Sequence, residues 1–141
     1  MKKPSLDSML LSSTDPERLH AWYIGVLEPE ESSLMDGYRI ARYGGFHLIF
    51  DTRADIGKKN PEPGRMILNF DVADARAIVA RLDEMGVKWL APLEDRDGSL
   101  WATAIDPDGN YVQVIQLSDQ ERSAMAEGST AEADPKGGND V

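Results

Sequence analysis

The sequence predicts an α+β fold built from two tandem βαβββ modules, and three observations lead there. Two segments carry apolar residues at three- and four-residue spacing, the mark of a helix with one buried face, and short alternating runs flank each of them. Glycine, proline, asparagine and aspartate cluster between those runs, where turns belong. Displacing the chain by 59 positions superimposes Met9 on Leu68, Leu11 on Phe70, Asp15 on Asp74, Leu19 on Ile78 and Tyr23 on Leu82. The repeat lies in caps and periodicity rather than in identity of residues. A length of 141 residues suits one domain, or two small repeats sharing a core.

Taken in order, Ser8 to Ser13 reads as a strand and Thr14-Asp15-Pro16-Glu17 as a helix start. Asp15 or Thr14 can cap, Pro16 fits the first helical position, and Glu17 can close a capping box with Thr14. The helix runs from about Pro16 to Leu27, with Leu19, Trp22, Tyr23 and Val26 facing a sheet. Met35 to Tyr43 and Phe46 to Thr52 are strands joined at Gly44-Gly45. Residues 6–53 make the first module, and 54–64, ending Pro61-Glu62-Pro63-Gly64, form a linker.

The second module covers residues 65–117. Met66 to Asp71 is a strand, Asp74 a cap, Ala75 to Met85 a helix and Gly86 its stop. Val87 to Leu90, Leu100 to Ile105 and Tyr111 to Leu117 follow as strands, the last two joined at Asp106-Pro107-Asp108-Gly109-Asn110, a strong turn signal. Ser118-Asp119-Gln120-Glu121 starts one short helix, residues 118–127, and 128–141 are expected to be a disordered acidic tail.

Composition excludes several functions. Lys and Arg total 15 against 25 Asp and Glu, a formal charge of -10, which disfavours phosphate-driven nucleic-acid binding and adhesion to anionic membranes. The absence of cysteine removes disulfides, thiolate ligands and a thiol nucleophile. No run approaches the ~20 apolar residues of a membrane span, and none after Lys2-Lys3 suits a signal peptide, so a soluble cytoplasmic protein is expected.

Alternation places Val112 and Val114 on one face of the last strand and Gln113 and Ile115 on the other, so the Gln113 amide is a site candidate. In the same way Phe46, Leu48 and Phe50 pack under a helix and His47 faces away. His47 is a candidate general base or hydrogen-bonding group, with an ordinary pKa of ~6.5; a wall histidine without chemistry is the alternative. Asn69 and Ser12 join them in a pocket expected to be polar but uncharged. Asp106, Asp108 and Asn110 are spaced like the opening of an EF-hand, but Tyr111 and Leu117 stand where glycine and glutamate belong, and that reading fails.

The tandem units, Trp22-Tyr23 ahead of Gly25-Val26-Leu27, and Asp106-Pro107-Asp108-Gly109-Asn110 together resemble the vicinal oxygen chelate superfamily. That group includes glyoxalase I, bleomycin-resistance proteins, fosfomycin-resistance enzymes and extradiol dioxygenases, and the resemblance spans about residues 6–117. It implies that the strands form a curved, incomplete barrel around a pocket for a small molecule, often in a homodimer. Metal-using members take four ligands from positions that correspond here to Ser8, His47, Ile67 and Gln113. Ile67 cannot ligate and Ser8 and Gln113 are weak donors, so no metal cofactor is expected. A rearranged set around His47, with Asp51 or Asp71, is the alternative.

The resulting expectation is a metal-free protein holding a cationic or aromatic organic ligand. Ser8, Leu10, His47, Ile67, Asn69, Trp101 and Gln113 form the binding set, with Ile49 and Ile115 beside them. A metal-dependent lyase, isomerase or dioxygenase with altered ligands is one alternative, and a non-catalytic interaction module with a degenerate pocket is another.

Overall fold

Two Asp-Gly pairs decide how the chain divides into strands. Asp36 and Gly37 have φ of 52° and 84°, and Asp97 and Gly98 have 54° and 91°. Positive φ at both central residues matches the right-handed twist of flanking strands, so each pair closes a tight hairpin. The computed structural model describes residues 1–132, the side chains of 129–132 excepted.

The elements are β1 (Ser8–Ser13), α1 (Pro16–Val26), β2 (Glu31–Met35), β3 (Tyr38–Tyr43), β4 (Phe46–Thr52), β5 (Leu68–Asp71), α2 (Ala75–Glu84), β6 (Lys88–Arg96), β7 (Ser99–Ile105), β8 (Tyr111–Gln116) and α3 (Asp119–Glu132). The first four strands form one sheet in the order β1-β4-β3-β2, and the last four a second in the order β5-β8-β7-β6. These are two βαβββ modules of the same topology, and neither sheet closes into a barrel.

Several boundaries differ from expectation. The single strand expected over Met35 to Tyr43 is the end of β2 and all of β3, because Asp36-Gly37 turns the chain back. The strand expected to end at Leu90 continues to Arg96, reaching the hairpin at Asp97-Gly98 through register shifts between Trp89 and Glu94. Pairing with β8 begins at Leu68↔Val112, leaving Met66 and Ile67 outside β5, just after a 3-10 turn over Pro63–Arg65. The last helix passes residue 127 and ends at Glu132. Gly128 costs it only about 1 kcal/mol relative to alanine, and Ala124, Ala126 and Ala131 favour continuation. The rest of the expected tail, 133–141, lies outside the described residues.

The repeat holds in the caps. Asp15 accepts a hydrogen bond from the Arg18 N–H at 3.2 Å, and Asp74 one from the Ala77 N–H at 3.0 Å. At the end of α2, Val87 N–H reaches Leu82 O and Gly86 N–H reaches Asp83 O, with Gly86 at φ 71°. This satisfies carbonyls the helix leaves free and places the left-handed residue where glycine carries no side-chain penalty. No described helix is long and apolar enough to cross a membrane.

Alternate strand residues meet the helices in one continuous core. Leu11, Ala41, Leu48 and Phe50 pack with Leu19, Tyr23 and Val26, and Ala102, Ala104, Val112 and Val114 pack with Leu82. Trp22 and Tyr23 are therefore core residues, Tyr23 fully buried and Trp22 partly so. His20, 8% exposed, lies on α1 with its Nε2 3.0 Å from Ser32 Oγ and its ring edge-on to Phe50. Burial, and secondarily the charge of Arg39, push its pKa below the ordinary value, against a smaller opposing effect from the Ile40 backbone.

The unfolded chain thus takes up the His20 proton at a higher pH than the folded one. Stability is expected to be fully present above about pH 6.5 and to be lost as the pH falls toward the folded-state value. Thermal melts of the protein and of His20→Gln between pH 7.5 and 5 measure this: the variant should show a flatter profile over that window. Parallel profiles would remove His20 as the cause.

Candidate functional site

The faces turned away from the helices are where strand alternation sends the expected site residues. On the first sheet, register pairs Ser8 with His47 and His47 with Arg42, then Leu10 with Ile49 and Ile49 with Ile40, then Ser12 with Asp51. On the second, Asn69 pairs with Gln113 and Gln113 with Thr103, while Asp71 pairs with Ile115 and Ile115 with Trp101. Each face is a short apolar band with polar groups at its margins.

The structure therefore brings Ser8, Leu10 and His47 together on one sheet, and Asn69, Gln113 and Trp101 together on the other. Ile67, 43% exposed, sits just before β5 and lines a groove of about 630 Å³ with Asn69, Asp71, Tyr43, Phe46 and Phe70. Tyr43 donates its hydroxyl to Leu27 O at 2.6 Å, and its ring stands edge-on to Phe70 at 5.0 Å.

The faces carry more charge than the uncharged pocket expected from the sequence. Arg42 stands beside His47, held by Glu30 at 2.6 Å and Glu31 at 3.5 Å. On the other sheet, Glu94 is the register partner of Trp101, and Arg96 lies over the Trp101 ring, 5.4 Å from its centroid. Gln113 Nε2 points to Thr103 Oγ1 at 3.4 Å, a long contact. Asp71 is engaged by both terminal nitrogens of Arg122, at 2.8 and 3.1 Å, and those bonds hold its carboxyl below the usual range.

The four metal positions implied by the resemblance do not suit an ion. Ile67 has no donor atom, Ser8 and Gln113 are weak donors, and His47 is the one imidazole among them. Among the described residues no group of three or more His, Asp or Glu could hold an ion, so a rearranged set around His47 with Asp51 or Asp71 is not assembled.

The turn that launches β8 is built around one carboxylate. Asp106 Oδ1 accepts the Asp108 and Asn110 backbone N–H groups, each at 2.9 Å; Oδ2 accepts Asn110 Nδ2 at 2.9 Å and the Tyr23 hydroxyl at 2.7 Å. Both side chains are buried. Burial pushes the Tyr23 pKa well above 10, with the neighbouring Asp106 adding to it. The Asp106 carboxyl is also raised, because loss of solvent outweighs the hydrogen bonds that favour its anion. The proton stays on Tyr23, and the bond ties helix α1 of the first module to the final turn of the second.

The residues between the modules are not free. Asn60 N–H donates to Asp108 O at 2.8 Å, Asn60 Nδ2 to Asn110 Oδ1 at 2.9 Å, and Lys59 Nζ to Pro107 O. This segment is a strap over the turn. Sequence reasoning missed it because the partners are some fifty residues away; it missed Arg42 although the Gly44-Gly45 hairpin already sets Arg42 opposite His47.

The family model described as a glyoxalase-like domain matches residues 8–115. A comparison with curated proteins finds no match. Among solved structures, the chain resembles the oxidase ChaP-H1 with a TM-score of 0.69 at 16% identity, over 82% of this chain and 98% of that one. It resembles the fosfomycin resistance protein FosX from Mesorhizobium loti with a TM-score of 0.64 at 14% identity, over 87% and 99%. For TioX from Micromonospora sp. ML1 the values are 0.58 and 18%, over 80% and 98%. At these identities the structures speak to fold alone, and they agree with the paired βαβββ modules and with the match over residues 8–115. The chain belongs to the glyoxalase-like domain family of the vicinal oxygen chelate superfamily.

Proposed function

We propose that this is a cytoplasmic protein that binds a cationic or aromatic organic molecule without a metal, using the open faces of its two sheets. The observation that carries the reading is the donor set: the four positions that serve metal in relatives hold Ser8, His47, Ile67 and Gln113, which offer one imidazole and otherwise weak or no ligands. The apolar bands of Leu10 with Ile49 and of Ile115 with Trp101 supply contact area, and His47, Asn69 and Gln113 at their margins supply orientation. A homodimer is part of this reading. Leu10 is 47% exposed, and a second copy set against these faces covers it and closes the pocket; sedimentation of the purified protein reads the mass directly.

Thermal-shift screening against cationic glycopeptides, aromatic metabolites and thiohemiacetals tests the proposal. A true ligand at 100 times its Kd stabilises by about 2.7 kcal/mol through mass action. His47→Ala is expected to remove most of that shift while leaving the unliganded melting temperature within a few degrees. An unchanged shift would sink the role given to His47. Stoichiometric zinc, iron, nickel or manganese in the purified protein would overturn the metal-free reading in favour of a metal-dependent lyase, isomerase or dioxygenase.

A further inference from the structure

Asp108 is 9% exposed, and no described residue donates a hydrogen bond to its carboxylate or pairs with it. Its backbone is fully used, N–H to Asp106 Oδ1 and carbonyl from Asn60 N–H, so the turn holds the residue firmly while its side chain goes unanswered. A carboxylate with so little exposed surface attracts a positive partner more strongly than one in open water. No polar side-chain atom is sealed off without a partner, so these oxygens reach open space, and Asp108 lines a cavity of about 350 Å³ beneath the strap.

We infer that this cavity binds a small organic ammonium cation, with Asp108 as its counter-ion. Of the neighbouring charges, Asp55 is paired with Arg53 through two hydrogen bonds, and the Lys59 ammonium, which keeps its charge, is anchored on Pro107 O. Ser12, Asn60 and Asn110 also line the space, the two amide oxygens each accepting one hydrogen bond already, from Glu62 N–H and Asn60 Nδ2, and an ammonium head presents three N–H donors. Ile56 and Pro61 supply an apolar wall for the ligand's body. A metal ion fits less well, since no third carboxylate or imidazole completes a coordination shell. The volume lies at the lower end for small-molecule sites, which limits the ligand to about the size of a single ring with a short chain. This site does not depend on the open sheet faces.

The test is a titration of the ¹⁵N-labelled full chain, followed by backbone amide shifts, with 2-phenylethylammonium and its neutral isostere 2-phenylethanol. Saturable shifts are expected at Gly57, Asn60 and Gly109, with the ammonium binding at least about tenfold more tightly than the alcohol, as an assisted carboxylate contact requires. Asp108→Asn, which removes no existing hydrogen bond, should bring the ammonium down to the alcohol's affinity and leave the rest of the spectrum in place. Equal binding of the two probes, an unaltered affinity in Asp108→Asn, or shifts confined to the strands of Leu10, His47 and Gln113 would overturn the inference. Saturable shifts with calcium chloride at these same amides would do so as well. Should the variant fail to fold, the comparison of the two probes on the unaltered protein decides alone, and neither result bears on the open-face ligand.

Discussion

Asp106→Ala is expected to lower the free energy of unfolding by about 3–5 kcal/mol, because several buried neutral donors lose their acceptor and each costs about 1–3 kcal/mol when left unsatisfied. The substitution strands four donors at once: the Tyr23 hydroxyl, the Asn110 amide and two backbone N–H groups of the turn. Tyr23 is fully buried, so water cannot take the lost place. Tyr23→Phe removes one donor and leaves the carboxylate three, so it should cost only about 1–3 kcal/mol. Urea unfolding of both variants checks the order as well as the sizes; a Tyr23→Phe cost equal to that of Asp106→Ala would mean that the turn needs no internal carboxylate.

Because burial raises the Asp106 pKa, its favourable linkage to stability is fully present below about pH 3.8 and declines as the pH rises through the folded-state value. Asp106 is thus not the group whose protonation starts acid unfolding. His20 has the opposite sign.

Phe50→Ala should cost about 3–5 kcal/mol, the range for deleting a large aromatic from a packed core. Phe50 has no exposure, touches the edge of His20 with centroids 5.2 Å apart and lies 5.5 Å from Tyr23. The cavity left behind would open between α1 and β4, where neither element can close in without disturbing the strand pairing at Phe50↔Leu11 and Arg39. Phe50→Leu keeps much of the volume and should lose appreciably less. Denaturant midpoints at constant slope measure both, and a loss below about 1.5 kcal/mol for the alanine variant would show that the site collapses readily.

What was legible in the sequence was local. Asp15 and Asp74 announce the helices because a short acidic side chain ahead of an apolar periodicity has few other uses. Val112 and Val114 flanking Gln113 sort themselves by alternation alone. The two Asp-Gly hairpins carried an equally local signal, and overlooking it left out β2 except for Met35 and cut β6 short. The strap, the bond of Tyr23 to Asp106 and the ion pair of Arg122 with Asp71 are of another kind. Their partners lie about fifty to eighty residues apart, and nothing in either segment names the other. Arg42 is not of this kind: the Gly44-Gly45 hairpin sets it opposite His47 from five residues away, so its place on the face was legible and was passed over.

The bond between Tyr23 and Asp106 has a temporal side. The two residues are 83 positions apart, and at ~5–20 residues per second a ribosome takes on the order of 4–17 s to travel from one codon to the other. Throughout that interval the hydroxyl at the centre of the first helix has no native acceptor, and the nascent first half holds a polar group in the middle of its apolar surface. Completion of the early module is thereby made to wait for the late one, so the chain commits to its final packing only when nearly all of it has been made.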